Sequence, residues 1–86
     1  MTDYIGLIRK ETESDFGVEF PDFPGCVTAG SSLDDARAMA QEALQGHIEC
    51  MEKEGVCVPR PSSLEAVVAD HNNEDAVTFL VTVQAV

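Results

Sequence analysis

The sequence predicts a single α+β domain of the order βββαβ, with an antiparallel three-stranded meander, one long covering helix and a fourth strand parallel to the first. Three observations support this fold class. Short stretches near both ends alternate between apolar and polar residues, which is the period of β-strands. Between Leu33 and Glu54 apolar residues recur every three or four positions, which is the period of an α-helix. The chain of 86 residues can build one core, because domains usually contain about 100–150 residues.

The first half of the sequence predicts the meander. Residues 4–10 are rich in isoleucine and leucine and form the first strand, and a polar turn over residues 11–15 follows. Residues 16–20 alternate between apolar and polar types, as a half-buried second strand does. Residues 21–25 contain two prolines, which lack the N–H that a strand needs. The third strand is therefore predicted over residues 26–29.

A long helix is predicted from Leu33 to about Glu54. Ser32, with Asp35 three residues later, resembles a capping box, and Gly55 is the residue type that commonly ends a helix. The apolar positions trace one stripe along this segment: Ala36, Met39, Ala40, Ala43, Leu44, Ile48 and Met51. One face of the helix is therefore expected to pack on the sheet.

The last third of the sequence predicts a connector and a fourth strand. Pro59 and Pro61 exclude helix, residues 62–66 suit a short capped helical turn, and residues 77–84 alternate as a strand. A right-handed crossover would return this strand parallel to the first. The sheet face away from the long helix would then be bare apart from the short turn. Because a bare face and an apolar edge at residues 77–84 favour association, we expect a homodimer or homotetramer.

The charge of the chain is strongly negative. Sixteen acidic residues against five basic ones give a net charge of −11, and the five bases are scattered: Arg9, Lys10, Arg37, Lys53 and Arg60. Nucleic-acid affinity depends largely on clustered Lys and Arg, so no direct nucleic-acid binding is expected. Such a surface attracts a cationic protein. The alternative is that the charge serves solubility alone.

The three cysteines, Cys26, Cys50 and Cys57, follow no metal-binding spacing and include no C-x-x-C motif. Neither a disulfide framework nor a zinc site is indicated, and Cys26 and Cys57 are expected to be buried structural residues. No basic segment followed by an apolar stretch opens the chain, and no apolar run reaches about 18 residues. The sequence therefore predicts a cytoplasmic protein that binds no metal, cofactor or membrane.

Candidate catalytic residues are few. A two-metal nuclease needs several carboxylates that converge at the centres of strands, and only Glu19 and Asp22 lie on or near one. His47 and Glu49 match half of the zinc deaminase motif, but the cysteine half does not follow. No serine or cysteine is visibly paired with His47 or with His71. We therefore expect a protein that is not an enzyme.

A family resemblance rests on residues 20–26, which read Phe-Pro-Asp-Phe-Pro-Gly-Cys, on Thr28-Ala29-Gly30, and on the Ser-Leu-Asp-Asp-Ala helix start. Together with the Pro59-x-Pro61-Ser62 segment, these motifs resemble the N-terminal domain of HicB-like antitoxins, from Tyr4 to Val83. The resemblance implies a partial RNase H-like fold. It also implies a protein that binds and neutralises HicA-type toxins, which are small basic proteins that cleave mRNA by means of a histidine.

The sequence departs from this family at its C-terminal end. Many members continue into a DNA-binding domain, whereas this chain ends at Val86. We therefore expect residues 1–86 to form a single HicB-like antitoxin domain without a C-terminal DNA-binding domain, and we expect no binding to its own promoter.

The candidate partner-binding site consists of Phe20, Pro21, Asp22, Phe23, Pro24, Gly25 and Cys26. Phe23 lies between two prolines, which would hold it ready to enter a partner pocket. The alternative is that the segment is only a rigid connection and that Phe23 plugs its own core. Two alternative functions also remain open: a vestigial or active metal-dependent RNase H-like nuclease, and a solitary homo-oligomeric regulatory module.

Overall fold

The computed structural model describes residues 1–10 and 15–84 of the chain. In these ranges the strands are β1 (Thr2–Lys10), β2 (Phe16–Glu19), β3 (Val27–Gly30) and β4 (Val77–Val83), and the helices are α1 (Leu33–Lys53) and α2 (Leu64–Ala69). A single 3-10 turn, His71–Asn73, precedes β4. The predicted α+β class, the antiparallel meander and the long helix are confirmed, with ends shifted by one or two residues. The turn predicted over residues 11–15 lies outside the described residues, except for the exposed Asp15.

The described strands form one sheet in the order β3-β2-β1-β4, and every neighbouring pair is antiparallel. β4 pairs with β1 so that Thr2 lies opposite Val83 and Gly6 lies opposite Phe79. The prediction that the fourth strand is parallel to the first is therefore wrong. The crossover rule describes a connection between two parallel strands that packs back onto one face of the sheet. Here the connection uses both faces of the sheet, because α1 lies on one face and α2 on the other.

Three side-chain contacts trace the path of this connection. Near the start of β1, the hydroxyl of Tyr4 donates a hydrogen bond to the carbonyl oxygen of Pro59 at 2.5 Å. Ser62 then bonds to Asp22, and α2 follows directly. Near the end of β1, the guanidinium of Arg9 donates to the carbonyl oxygen of Asn72 at 2.6 Å. The segment from Pro59 to Asn72, which includes α2, thus runs along β1, and β4 enters the sheet from the end at which β1 finishes.

The main core lies between α1 and the sheet. The stripe of α1 is fully buried at Ala36, Ala40, Leu44 and Ile48, and the sheet contributes Tyr4, Ile8, Val18, Val81 and Val83. Gly6 leaves room for the ring of Phe79, because a β-carbon on Gly6 would lie 2.7 Å from the Cε1 atom of that ring. Burial of this apolar surface is the main stabilising contribution to such a fold.

The opposite face carries a smaller cluster in which Val67 of α2 packs on Ile5 and Leu7, with Ala76 beside them. Side chains of successive strand residues point to opposite faces, so Ile5 and Leu7 face away from α1. The sequence predicts a face that is bare apart from a short helical turn over residues 62–66. In the structure this turn is the helix α2, which continues to Ala69 and covers part of the face.

The two ends of α1 are capped by the residues that the sequence predicts. The hydroxyl of Ser32 accepts from the backbone N–H of Asp35 at 3.0 Å, and the carboxylate of Asp35 accepts from the N–H of Ser31. Gly55 has a φ of +72°, and Val56 donates to the carbonyl oxygen of Met51, which is a Schellman ending. Within the described residues, neither helix has the length and apolar character needed to cross a membrane.

Candidate functional site: the loop between β2 and β3

The loop between β2 and β3 consists of two consecutive turns. The N–H of Phe23 donates to the carbonyl oxygen of Phe20 at 3.1 Å, and the N–H of Cys26 donates to that of Phe23 at 3.0 Å. A proline stands at the second position of each turn and restricts φ there. Gly25 has a φ of +88°, as the third position of a type II turn requires. The loop is therefore rigid before it meets any partner.

The three-residue period of these turns sorts the predicted site residues into two sets. Phe20, Phe23 and Cys26 point inward and belong to the main core. The outward set is Pro21, Pro24 and Gly25, all exposed, with Asp22 half-buried between the two sets. Only the outward set and Asp22 can meet another molecule without unfolding the loop.

Phe23 packs inside its own domain and is only 2% exposed. Its ring meets that of Tyr4 edge to face, with centroids 4.8 Å apart and an interplanar angle of 71°, and meets His47 at 5.7 Å. Such edge-to-face pairs are favourable beyond the area that they bury. Of the two alternatives for Phe23, the structure selects the core plug, because a partner pocket could receive this ring only after it had left the core.

Asp22 fastens the loop to the connector that follows α1. Its carboxylate accepts from the backbone N–H of Ser62 at 2.9 Å and from the Ser62 hydroxyl at 2.5 Å. The bond from Tyr4 to the Pro59 carbonyl lies beside it. Burial raises the pKa of the Tyr4 hydroxyl above its ordinary value, and the negative charge of Asp22 raises it further. We call these two contacts, Asp22 with Ser62 and Tyr4 with Pro59, the clasp.

Glu19, the other candidate carboxylate, is held by Arg9. The Arg9 guanidinium donates to Glu19, to Asp75 at 3.1 Å and to the Asn72 carbonyl oxygen. The hydrogen bond to Glu19, followed by that to Asp75, raises the pKa of Arg9. Both carboxylates that the nuclease alternative needs are thus engaged in contacts between elements. In residues 1–10 and 15–84, no cluster of three or more His, Cys, Asp or Glu side chains could hold a metal ion.

The histidines and cysteines do not form a common site. His47 packs on Phe23, whereas Glu49 accepts a hydrogen bond from Gln45. Cys26 is buried, and burial raises the pKa of its thiol. The expectation of a buried thiol is wrong for Cys57, which is exposed because residues 56 and 57 lie in the connector beyond α1.

Acidic side chains dominate the outer surface of α1. Those exposed on this helix and its end are Asp34, Asp35, Glu42, Glu49 and Glu54. The exposed basic side chains of this helix are Arg37 and Lys53, fewer than its exposed acids. The outer face of α1 therefore presents a negative field.

Sequence reasoning missed the roles of Arg9 and Ser62. An arginine on an alternating strand and a serine after a proline have many uses, and their partners stand far away in the sequence. The sequence predicts that Pro59 and Pro61 form a connector without helix and that Ser62 begins a short turn. No local signal identified its contact with the loop.

The comparisons with known proteins agree with one another. The model of the HicB-like antitoxin family of bacterial toxin–antitoxin systems matches residues 4–86. The solved N-terminal domain of the Burkholderia pseudomallei antitoxin HicB is 32% identical, with a TM-score of 0.82, over 96% of this chain and 99% of that one. A chain of the HicA3 and HicB3 toxin–antitoxin complex is 30% identical, with a TM-score of 0.79, over 96% and 99% of the two chains.

A curated relative comes from Haemophilus phage HP1, strain HP1c1. This uncharacterized 14.9 kDa protein of the rep-hol intergenic region is 32% identical over 74 residues. The aligned part is 86% of this chain and 53% of the phage protein. The chain thus spans about half the length of that relative.

Proposed function

Because this chain belongs to the HicB-like antitoxin family, we propose that it is an antitoxin that binds and neutralises a small basic HicA-type toxin in the cytoplasm. The observation that carries the proposal is the family match over residues 4–86, which covers the whole candidate site. The resemblance in the sequence is confirmed by this match. We further propose that the chain acts by binding alone, with no catalysis or cofactor of its own.

The proposed contact surface combines the outward set of the loop with the exposed acids of α1. The two turns and the clasp to Ser62 hold Pro21, Pro24 and Gly25 in place, so little conformational entropy is lost when a partner binds there. The acids of α1 attract a basic partner and speed encounter. In this proposal the rigid loop supports the close contact and the negative field brings the toxin to it.

The nuclease alternative gains no support from the site. Glu19 bonds to Arg9, and Asp22 bonds to Ser62, so neither carboxylate is free to converge with others on a metal ion. The partial RNase H-like character that the resemblance implies stays a prediction. The solitary regulatory module differs from the antitoxin only in lacking a toxin, and the binding experiment below separates the two.

The test uses the short basic protein that the adjoining reading frame would encode. We expect tight binding by surface plasmon resonance, and rescue of growth when both proteins are made in one cell. Pro24→Arg places a positive charge on the loop and should weaken binding about tenfold or more, which corresponds to about 1.4 kcal/mol. Raising salt should slow association of the unchanged protein, because charges are screened over about 8 Å at physiological ionic strength.

The matched control is Val68→Arg. Val68 is 57% exposed on α2, on the face opposite to α1, and its replacement changes the net charge by the same amount. This variant should bind nearly as well as the unchanged protein. If Val68→Arg weakens binding more than Pro24→Arg does, the toxin meets the other face and the loop assignment fails. If the unchanged chain binds the basic protein no better than it binds an unrelated basic protein, and toxicity persists, the antitoxin function itself fails.

A further inference from the structure

β4 forms one edge of the described sheet, and its outer side has no strand beside it. Its seven residues read Val-Thr-Phe-Leu-Val-Thr-Val and contain no charge and no proline, in a chain whose net charge is −11. Natural edge strands are usually protected from strand addition by charges, prolines or bulges. None of the side chains of β4 supplies such protection, so the strand is suited to pair with another.

The sequence of β4 reads nearly the same in both directions around Leu80. In an antiparallel pair of two β4 strands centred on Leu80, Val77 would lie opposite Val83, and Thr78 would lie opposite Thr82. Phe79 would lie opposite Val81, and Leu80 would meet its own copy. Thr–Thr pairs and aromatic–β-branched pairs are among the favourable cross-strand neighbours. Every position of the strand thus finds a suitable partner in a second copy of itself.

Two shallow clefts flank this edge, one on each face of the sheet. The first, of about 350 Å³, lies on the α2 side and is lined by Ile5, Leu64 and Leu80 among others. The second, of about 290 Å³, lies between α1 and β4 and is lined by Ala38, Gln41 and Phe79 among others. Because side chains of an added strand alternate between the two faces, they would enter the two clefts in turn.

The backbone groups of β4 that remain available to pair with another strand are centred on Leu80. Beyond Val83, the side-chain amide of Gln45 accepts from the N–H of Gln84 at 2.9 Å and donates to its carbonyl oxygen at 3.0 Å. The backbone of Gln84 is therefore already satisfied by α1. An added strand would pair along residues 77–83, and Leu80 stands at their midpoint.

Charge distinguishes between the possible occupants of this edge. The charged side chains that line the two clefts are Asp3 and Arg37, and Asp3 is bonded to the hydroxyl of Thr82. A cationic protein would find no net negative charge here, because Asp3 and Arg37 carry opposite charges, whereas two chains of charge −11 repel each other least where neither carries a net charge. Val77 and Leu80 are 65% and 62% exposed, so pairing of two copies would bury apolar surface.

We propose that β4 pairs antiparallel with β4 of a second copy of this chain, about a two-fold axis at Leu80. The two sheets join into one, and the α1 helices of both copies lie on the same face of it. Residues of one chain then enter the clefts of the other on both sides of the joint. This interface does not depend on the proposed antitoxin function.

The first test compares the molar mass of the full chain with that of Leu80→Lys by sedimentation equilibrium at tens of micromolar. The unchanged chain should be a dimer, and Leu80→Lys should raise the dimer dissociation constant about tenfold or more, because it sets two like charges opposite each other. Val27→Lys is the matched control. Val27 is 67% exposed on β3 at the other edge, on the same sheet face as Leu80, and this variant should remain a dimer. Circular dichroism verifies that both variants fold.

The second test is a cross-link at the axis. In a Cys50→Ser, Cys57→Ser background, which removes the exposed thiols, Leu80→Cys should form a disulfide dimer on mild oxidation. Cα atoms of directly paired residues lie about 4.5–5.5 Å apart, within the range of disulfides, about 4.4–6.8 Å. Val27→Cys should remain monomeric on a non-reducing gel.

Three results would overturn the proposal. The unchanged chain could sediment as a monomer, Val27→Lys could dissociate the dimer as well as Leu80→Lys does, or Val27→Cys could cross-link as fast as Leu80→Cys. A monomer whose binding to the basic protein is abolished by Leu80→Lys would assign the edge to a strand of the toxin instead. The two tests above contain no toxin, so their failure does not contradict the antitoxin function. Failure of the toxin-binding experiment likewise does not contradict the pairing of two β4 strands.

Discussion

Phe23 lies where the loop between β2 and β3 meets the main core, in contact with Tyr4 and His47. The sequence alone predicts that a residue between two prolines is exposed, because prolines are common in surface turns. The turn bonds with Phe20 and Cys26 reverse that expectation, since they place every third residue inward. At the scale of single residues, the loop is therefore an extension of the core whose outer side is free to bind.

Phe23→Ala should destabilise the fold. Truncation of a buried phenylalanine leaves a cavity and costs about 3–5 kcal/mol, and here it also removes two ring contacts. Urea denaturation should show the loss, while Pro24→Ala, which changes an exposed side chain, should change the free energy of unfolding far less. A Phe23→Ala variant of undiminished stability that no longer binds the toxin would restore the anchor alternative.

Tyr4 should make the protein less stable at alkaline pH. Burial and the charge of Asp22 raise the pKa of Tyr4 in the folded state above its ordinary value, about 10. Above that value the unfolded chain loses the proton while the folded chain keeps it, so the free energy of unfolding falls as pH rises. The contribution of Tyr4 to the free energy of unfolding is complete below a pH of about 10. It is lost as the pH rises through the pKa that Tyr4 has in the folded state.

Tyr4→Phe should weaken this dependence. The variant also loses the hydrogen bond to the Pro59 carbonyl, so its free energy of unfolding at neutral pH should be lower by about 1 kcal/mol. The measurement is urea denaturation of both proteins from pH 7 to the alkaline limit of folding. If the free energy of unfolding falls equally with pH in the two proteins, Tyr4 does not contribute to the alkaline loss of stability.

At the scale of elements, the segment between α1 and β4 decides the topology. It begins on the α1 face, where Val58 packs against the main core, and reaches the other face, where Val67 covers Ile5 and Leu7. The clasp holds the first part of this path and Arg9 holds the last part. Because the chain returns along β1 before it enters the sheet, β4 runs antiparallel to β1.

The contact between Asp22 and Ser62 should be measurable as a coupling between two elements. In a double-mutant cycle of Asp22→Ala and Ser62→Ala, the coupling free energy should be about 1.5–3 kcal/mol, the range for a hydrogen bond to a charged group. Thermal or urea unfolding of the four proteins gives the value. The pair Asp22→Ala and Ser63→Ala is the control, because the hydroxyl of Ser63 accepts from the N–H of Ala66 and so caps α2 instead of bonding to Asp22. Additive effects at Asp22 and Ser62 would show that the clasp does not couple loop and connector.

At the scale of the whole molecule, charge is unevenly distributed. The exposed acids of α1 form a negative surface, whereas the outer side of β4 has only Asp3 and Arg37 beside its clefts. These surfaces suit different partners, since a cationic protein is attracted by the first and a second copy of the chain meets least repulsion at the second. In our proposals the same small domain therefore binds its toxin and its own copy on separate surfaces.

Local patterns in the sequence determined much of this protein. The alternation in residues 16–20, the stripe of α1 and the caps at Ser32 and Gly55 are short-range features, and each predicted its element to within one or two residues. The motif of residues 20–26 also identified the family that the comparison confirms. These features could be predicted because the periods of helix and strand appear directly in consecutive side chains.

Only the tertiary structure decided the direction of β4, the burial of Phe23 and the partners of Arg9, Asp22 and Ser62. Each depends on contacts between residues that are distant in the sequence, such as the bond from Asp22 to Ser62. The alternation in residues 77–84 is the same for a parallel and an antiparallel strand, because side-chain period carries no direction. The packing of α2 on Ile5 and Leu7 sets that direction, and this packing exists only once the chain has folded.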